Sequence, residues 1–267
     1  MLGKHLMMCP PDFYNVEYEI NPWMHKAAGT DLQVAQMQWR QLHRVLTDDC
    51  HCRVETIQPV DGLPDMVFTA NAGLVFGKRV IPSNFRHPER QGETSHFSRW
   101  FQEQGYQVEM LPEELDFEGE GDALFLDGLL FAGYRTRTEI RTHHLISEML
   151  GIKVVSLPLV DSRFYHLDTC FCPLDAETAA YYPPAFDEYA RKTLAAHIPT
   201  LIEIADADAV HFAANTVVMG RDVIMNAHCD GFAEKLRGMD YTVHSVDLSQ
   251  FLRAGGSAKC LVCTLPG

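Results

Sequence analysis

The sequence has no excess of basic residues and no long apolar run. Lys and Arg total 22 against 36 Asp and Glu, which gives a formal net charge of -14. Nucleic acids and anionic membranes are bound by basic surfaces, so this charge argues against both as partners and fits a small cationic substrate. No stretch approaches the roughly 18 consecutive apolar residues of a membrane helix, and the chain opens MLGKH without an apolar signal segment. We therefore expect a cytoplasmic protein.

Nothing in the composition divides the chain into separate parts. No linker separates two composition regimes within the 267 residues, and 46% of them are hydrophobic, which is ample for a buried core. The sequence therefore predicts a single domain over residues 1–267.

The eight cysteines do not indicate a disulfide framework, because the chain is long and lacks a signal peptide. They are predicted to be reduced thiols. Cys260 and Cys263 have CxxC spacing, but they lie in a predicted strand rather than at a helix start, and no second CxxC is present. A zinc or redox site is therefore disfavoured, and no metal is predicted.

A recurring unit predicts the fold class. Segments beginning at Asn71, Asp122 and Asn215 each combine a polar residue with two short apolar runs around a Gly or Asp-Gly turn, the pattern of a β-hairpin. Asp168 begins a degenerate fourth copy and Cys260 the strand of a fifth, so these five anchors recur every 45 to 51 residues. Amphipathic helices are predicted between them at 31–47, 94–104, 138–150, 184–197 and 231–237. This repeat predicts an α/β fold, a five-bladed α/β propeller with pseudo-fivefold symmetry, in which every anchor begins a strand at one end of the axis.

Cys260 is the candidate nucleophile. It follows the Gly-rich stretch GGSA at 255–258 and lies next to Lys259, a cation that favours the thiolate. The alternative is an inert cysteine that opens a buried strand over 260–265. A nucleophile also needs a base, which has to come from elsewhere in the chain.

Four motifs, in this order, resemble those of the guanidine-modifying (amidinotransferase) superfamily: FEGEGD at 117–122, GYRTRT at 133–138, HLD at 166–168 and GGSAKC at 255–260. Arginine deiminases, dimethylarginine dimethylaminohydrolases, agmatine deiminases and glycine amidinotransferases belong to this superfamily, whose fold is the five-bladed α/β propeller. The segments MCPPDF at 8–13 and INPWM at 20–24 are most similar to its arginine dihydrolase branch, better known as the amino-terminal part of longer bifunctional chains.

The resemblance implies a role for each motif residue. It implies that Cys260 is the nucleophile, that His166 is the general acid and base, and that Glu118 orients His166. It implies further that Asp168 and Asn71 hold a substrate guanidinium group, whose N–H donors form charge-assisted pairs with carboxylates. The resemblance also implies that Asp65 and Asn21 bind the α-amino end. Arg86, Arg90 and Arg137 are the candidates for binding the α-carboxylate, because the forked guanidinium of arginine suits that planar anion. No metal or organic cofactor is needed.

Two positions depart from the superfamily's pattern. FEGEGD carries one residue more than the usual Glu-Gly-Gly-Asp, and Asn71 replaces the Asp of the deiminase Phe-Thr-Arg-Asp. An amide can present either its oxygen or its NH2 group to a ligand. Asn71 is therefore expected to accept both cationic arginine and neutral citrulline and so to permit a second hydrolysis. The alternative is that Asn71 is a turn residue before its strand.

These implications predict a cysteine-dependent hydrolase that converts L-arginine to ornithine, CO2 and two NH3. A deiminase that stops at citrulline and an amidinotransferase stay open. Dimethylarginine hydrolysis is disfavoured, because Asp168 needs N–H donors that a dimethylated nitrogen lacks. A non-catalytic arginine-binding protein is the alternative from another class, although it has no need of Cys260, His166 and Glu118 together. The sequence leaves a homo-oligomer open.

Overall fold

The computed structural model describes residues 5–265 and arranges their strands in five separate three-stranded sheets. The strands are β1 (His5–Met8), β2 (Arg53–Thr56), β3 (Gly73–Phe76), β4 (Arg79–Pro82), β5 (Gln107–Val108), β6 (Ala123–Leu126), β7 (Leu129–Tyr134), β8 (Lys153–Pro158), β9 (Phe171–Pro173), β10 (Thr178–Tyr181), β11 (Thr200–Glu203), β12 (Val217–Met219), β13 (Asp222–Asn226), β14 (Thr242–Val246) and β15 (Cys263–Leu265). The helices are α1 (Leu32–Arg44), α2 (Pro88–Gln91), α3 (Glu93–Glu103), α4 (Ile140–Leu150), α5 (Glu188–His197), α6 (Asp206–Ala209), α7 (Asp230–Arg237) and α8 (Ser249–Leu252). The predicted mixed α/β class is confirmed.

All five sheets share one strand pattern. Sheets I to V have the orders β3-β4-β5, β6-β7-β8, β9-β10-β11, β12-β13-β14 and β15-β1-β2. In each, the first pair is antiparallel and the second parallel. Parallel neighbours need a crossover connection, and a helix provides it in every sheet. Sheet V differs in origin, because its antiparallel pair joins β15 near one end of the described chain to β1 near the other.

Local sequence explains the individual elements. The hairpin of β6 and β7 turns at Asp127 and Gly128, whose φ angles of 46° and 74° suit a tight turn that needs positive φ at both central residues. The Asp31 side chain accepts hydrogen bonds from the N–H groups of Gln33 and Val34 and caps the start of α1. A π-helical segment, Val45–Asp49, continues α1. The described part of the chain contains no helix long and apolar enough to cross a membrane.

Four clusters of buried apolar side chains pack between neighbouring sheets. The first joins sheets I and II, the second sheets II, III and IV, the third sheets IV and V, and the fourth sheets V and I. Examples are Leu74 and Leu130 in the first, Phe131 and Met225 in the second, Leu6 and Ile224 in the third, and Met7 and Val80 in the fourth. Each sheet thus shares an apolar cluster with at least two others.

The anchors of the repeat precede their strands rather than begin them. Asp122 lies directly before β6, whereas Cys260 lies three residues before β15, which begins only at Cys263. The predicted strand over 260–265 is therefore too long. The physical reason is that Cys260 lies in a turn, where the Val262 N–H donates to the Lys259 carbonyl at 3.1 Å.

Candidate active site

Short 3₁₀ turns before the first strands of three sheets contain or directly follow four of the ten predicted site residues. Thr69–Ala72 contains Asn71, Gly119–Gly121 follows Glu118, and Leu167–Thr169 contains Asp168 and follows His166. The middle turn contacts both of the others. Gly119 permits this approach, because its φ is +59° and a Cβ there would lie 2.8 Å from the Ala70 carbonyl oxygen.

Cys260 is buried, at 3% exposure, against residues from three other loops. Its Sγ lies 3.4 Å from Asp168 Oδ2 and accepts a hydrogen bond from Asn215 Nδ2 at 3.0 Å. The backbone N–H of Cys260 donates to Asn215 Oδ1 at 3.1 Å, and its carbonyl accepts from Ala70 N at 3.1 Å. The candidate nucleophile is therefore held directly beside a carboxylate.

The ionisation of Cys260 differs from the sequence expectation. Burial raises the pKa of its thiol well above the ordinary value, and the charge of Asp168 raises it further. Lys259 is not among the groups that lower this pKa, and its Nζ forms an ion pair with Glu120 Oε2 at 2.8 Å. The expectation that Lys259 favours a thiolate at Cys260 is wrong. A cation bound between Asp168 and Cys260 would lower the pKa of the thiol, since an opposite charge stabilises the charged form.

Three buried side chains, Arg137, Glu118 and His166, are linked by hydrogen bonds. His166 Nε2 lies 2.7 Å from Glu118 Oε2, and the same oxygen accepts from Arg137 Nη1 at 2.9 Å. Burial by itself raises the pKa of Glu118, but Arg137 and then His166 lower it below the ordinary range. Glu118 is therefore an anion that can orient the imidazole and stabilise its protonated form, as a general acid and base requires.

Asn71 is fixed between two protein groups. Its Nδ2 donates to the Glu118 carbonyl at 2.9 Å, and its Oδ1 accepts from Arg90 Nη1 at 3.0 Å. A Cβ at Gly121 would clash with Asn71 Nδ2, so the glycine permits the amide to lie against this turn. The NH2 group of Asn71 thus faces the Glu118 turn and its oxygen faces Arg90.

The residues predicted to bind the α-carboxylate lie around these groups, but two of them bind protein carboxylates. Arg90 contacts Glu93 through Nε and Nη2, both at 2.8 Å, in addition to Asn71. Arg137 pairs with Glu118, and its guanidinium lies 4.7 Å from the Tyr165 ring centroid. Arg86 is exposed and donates to the Thr136 carbonyl at 3.0 Å. Direct substrate contact by these three arginines stays a prediction.

The two residues predicted for the α-amino end, Asp65 and Asn21, contact different groups. Asp65 is buried, its Oδ2 is 3.9 Å from Arg90 Nε, and burial raises its pKa. Asn21 Nδ2 donates to the Ala254 carbonyl at 3.0 Å, which joins it to the loop before Cys260. Neither contact tests a role in substrate binding.

Three buried polar atoms of the predicted site residues have no hydrogen-bond partner among residues 5–265: Asp65 Oδ1, Asp168 Oδ1 and Arg137 Nε. Buried polar atoms in proteins are nearly always paired. An acceptor beside Cys260 and a donor beside Glu118 therefore suit a ligand that carries both N–H groups and oxygens.

Sequence reasoning missed the roles of Asn215, Glu120 and Asp122 at this site. Asn215 is predicted as an anchor of the repeat, and its equivalence to Asn71, Asp168 and Cys260 is the signal that could have identified it. Asp122 accepts from the Leu167 N–H at 3.0 Å and the Thr138 hydroxyl at 2.7 Å, so it holds the turn that follows His166. Glu120 is the additional residue of FEGEGD, and its partner Lys259 is distant in sequence.

Comparison with known proteins identifies similar chains over almost the whole length. The family model for N,N dimethylarginine dimethylhydrolase, eukaryotic, matches residues 20–266. The bifunctional arginine dihydrolase/ornithine cyclodeaminase ArgZ of Synechocystis is 48% identical over 96% of this chain, but the chain spans only 37% of that relative's length. The N(G),N(G)-dimethylarginine dimethylaminohydrolase of Mycobacterium tuberculosis is 45% identical over 98% of this chain and 85% of its own.

A solved structure matches the fold closely. It is the N-terminal domain of ArgZ, an arginine dihydrolase from the ornithine-ammonia cycle in cyanobacteria, solved as a cysteine-to-serine mutant bound to substrate. It superposes with a TM-score of 0.94 at 46% identity and covers 98% of both chains.

Proposed function

Since the chain belongs to the N,N-dimethylarginine dimethylhydrolase family of guanidine-modifying enzymes, we propose that it is a cysteine-dependent hydrolase of L-arginine. The observation that carries the proposal is the contact between Cys260 Sγ and Asp168 Oδ2, with Asp168 Oδ1 unpaired among the described residues. A guanidinium that donates N–H groups to Asp168 would bring its central carbon next to the sulfur.

The first half-reaction follows from these groups. The bound cation favours the Cys260 thiolate, which attacks the guanidino carbon and forms a C–S bond. His166 takes up the thiol proton and delivers it to the departing nitrogen, so that NH3 leaves and an S-alkylthiouronium remains. Water activated by His166 then attacks the same carbon, the C–S bond breaks, and citrulline and the thiol are released. Glu118 stabilises the imidazolium formed along the way.

We propose that the reaction continues to ornithine. Hydrolysis of citrulline removes the second nitrogen as NH3 and the carbon as CO2, so that arginine and two waters yield ornithine, CO2 and two NH3. Asn71 supports this second round, because a neutral amide does not repel the ureido oxygen of citrulline as a carboxylate would. The bifunctional cyanobacterial relatives carry the same activity in their names.

Dimethylarginine hydrolysis is the second candidate, because the 45% identical relative from M. tuberculosis is named for it. The products would be citrulline and dimethylamine. Asp168 argues against it, since a dimethylated nitrogen has no N–H to donate to the buried carboxylate.

A substrate comparison tests the proposal. We expect kcat/KM for L-arginine to exceed that for asymmetric dimethylarginine by roughly 10- to 100-fold, because an unpaired buried acceptor costs about 1–3 kcal/mol. Both should be measured by product analysis on the same preparation. A preference for dimethylarginine would support the second candidate, and turnover of neither would leave a non-catalytic binding protein.

The arrangement of the sheets belongs to the same proposal. We infer that they are the blades of a five-bladed α/β propeller within a single domain. The closed series of apolar clusters, from sheet I round to sheet V and back, supports this inference. We also propose a cytoplasmic location, since all eight cysteines are free thiols, which a reducing compartment maintains.

A further inference from the structure

We propose that Lys259 is a positioning residue that keeps Asp168 charged for binding a cationic substrate, and that Glu120 moderates its effect. The inference rests on the proposed function, because it assigns a guanidinium to Asp168. It concerns the Glu120–Lys259 ion pair, which the guanidine chemistry described above does not use.

The ion pair joins two loops of the site. Lys259 Nζ donates to Glu120 Oε2 at 2.8 Å and to the Val262 carbonyl at 3.1 Å. Glu120 Oε2 also accepts from the Thr264 N–H at 3.0 Å. Their side chains are 13% and 9% exposed, so water screens these charges far less than charges at the surface.

The backbone around Lys259 brings this charge close to the reacting groups. Lys259 is adjacent to Cys260, and its N–H donates to the Asn215 carbonyl at 3.2 Å. Asn215 Nδ2 lies within hydrogen-bonding distance of both Cys260 Sγ, at 3.0 Å, and the Asp168 carbonyl, at 3.2 Å. Lys259 is thus one residue from the nucleophile, and both Lys259 and Asp168 are hydrogen-bonded to Asn215 through their backbone.

The same pair lines a cavity. Glu120 and Lys259 line it together with Phe125, Phe171, Met219 and other apolar residues of β6, β9 and β12, whereas Cys260, His166 and Asp168 do not. The ion pair therefore borders this cavity, and Lys259 is adjacent in sequence to Cys260.

The balance of charges at Asp168 agrees with this role. Burial raises the pKa of Asp168 to about 7, Lys259 opposes that rise, and Glu120 adds to it. Other titratable groups that interact with Asp168 are Cys260, Tyr165, Cys170 and Cys172. Burial lowers the pKa of Lys259 itself, but Glu120 and Asp168 more than offset that effect. Lys259 thus stays a cation while Asp168 titrates.

The sign of the pH dependence follows from these charges. Asp168 attracts a guanidinium only when deprotonated, so KM for L-arginine should fall as pH rises through about 7 in the wild type. Removing the cation at Lys259 moves this fall to higher pH. Removing the anion at Glu120 moves it to lower pH. If the ion pair only holds the two loops together, both substitutions should instead reduce activity to the same extent at every pH.

The test compares K259M and E120Q with the wild type in KM and kcat for L-arginine across neutral pH. K259M is expected to raise KM for L-arginine at pH 7 by about fivefold, because a rise of one unit from a pKa of about 7 lowers the charged fraction of Asp168 from about one half to about one eleventh. Its KM should return to the wild-type value at higher pH. In E120Q, KM for L-arginine at neutral pH is expected to equal that of the wild type or to be lower. Lys259→Arg should restore the wild-type pH profile. K192M, which breaks the exposed Lys192–Glu188 pair, is the matched control and should change nothing.

Citrulline separates the electrostatic effect from general damage. It is neutral, so K259M should raise its KM far less than that of arginine. Equal, pH-independent losses in K259M and E120Q, or an unchanged K259M, would overturn the proposal. If K259M does not fold, the dependence of KM on pH in E120Q tests the proposal by itself. A profile that does not move to lower pH would contradict the proposal. Failure of the proposed function is distinct, because the wild type would then not turn over L-arginine.

Discussion

Replacing Cys260 by serine is expected to abolish turnover of L-arginine while the fold stays intact. A hydroxyl is a far weaker nucleophile than a thiolate, so kcat should fall by about 10⁴-fold or more. The smaller oxygen can keep the contacts that Cys260 makes with Asn215 and Asp168. The measurements are ammonia release, the thermal unfolding midpoint and L-arginine binding by calorimetry. Binding should persist, since Asp168 and Asn71 are unchanged.

Cys263→Ser is the matched control for this substitution. Cys263 is equally buried, but it lies in β15, where it pairs with Met7. The variant should keep near-normal turnover, with any loss confined to stability. If instead C263S is inactive and C260S turns over arginine at a near-normal rate, the assignment of the nucleophile is wrong.

The substitution Asn71→Asp is expected to make citrulline accumulate. A carboxylate at this position favours cationic arginine, but it repels the ureido oxygen of citrulline. It also loses the donor that Asn71 provides to the Glu118 carbonyl. Each lost or repulsive buried hydrogen bond costs about 1–3 kcal/mol, and roughly 1.4 kcal/mol is a tenfold change in rate. The ratio of ornithine to citrulline formed from L-arginine measures the effect.

Asn226→Asp separates this effect from a general loss of an amide. Asn226 is buried and its amide also both donates and accepts, although both of its partners are backbone groups: it donates to the His211 carbonyl at 3.0 Å and accepts from the Leu248 N–H at 3.0 Å. It lies in β13, outside the candidate site. N226D should leave the product ratio unchanged. A variant N71D that still yields only ornithine would show that Asn71 does not determine how far the reaction runs.

Much of the fold could be predicted because its signals are local. The hairpins after Asn71, Asp122 and Asn215 are encoded by apolar runs and tight turns a few residues apart, and the structure contains each of them. The five predicted helices are present within a few residues of their expected bounds. The pairing of β15 with β1 was beyond such reasoning, since it joins segments some 250 residues apart.

The candidate site was harder to predict where partners are distant in sequence. Motifs identify Glu118 and His166, but no local pattern indicates that Arg137 pairs with Glu118 or that Arg90 binds Asn71. The same limit affected the prediction that Lys259 favours the thiolate of Cys260. Its position next to Cys260 suggests a stabilised thiolate, whereas its actual partner, Glu120, lies 139 residues away.

The products formed from L-arginine by the wild-type protein test the central claim most directly. Ornithine, citrulline and ammonia should be quantified together after complete turnover, with C260S as the inactive control. The account predicts ornithine as the main product, with two ammonia and one CO2 for each arginine consumed. Citrulline with a single ammonia as the final products would contradict it and leave a deiminase, and no ammonia at all would contradict the assignment of a hydrolase.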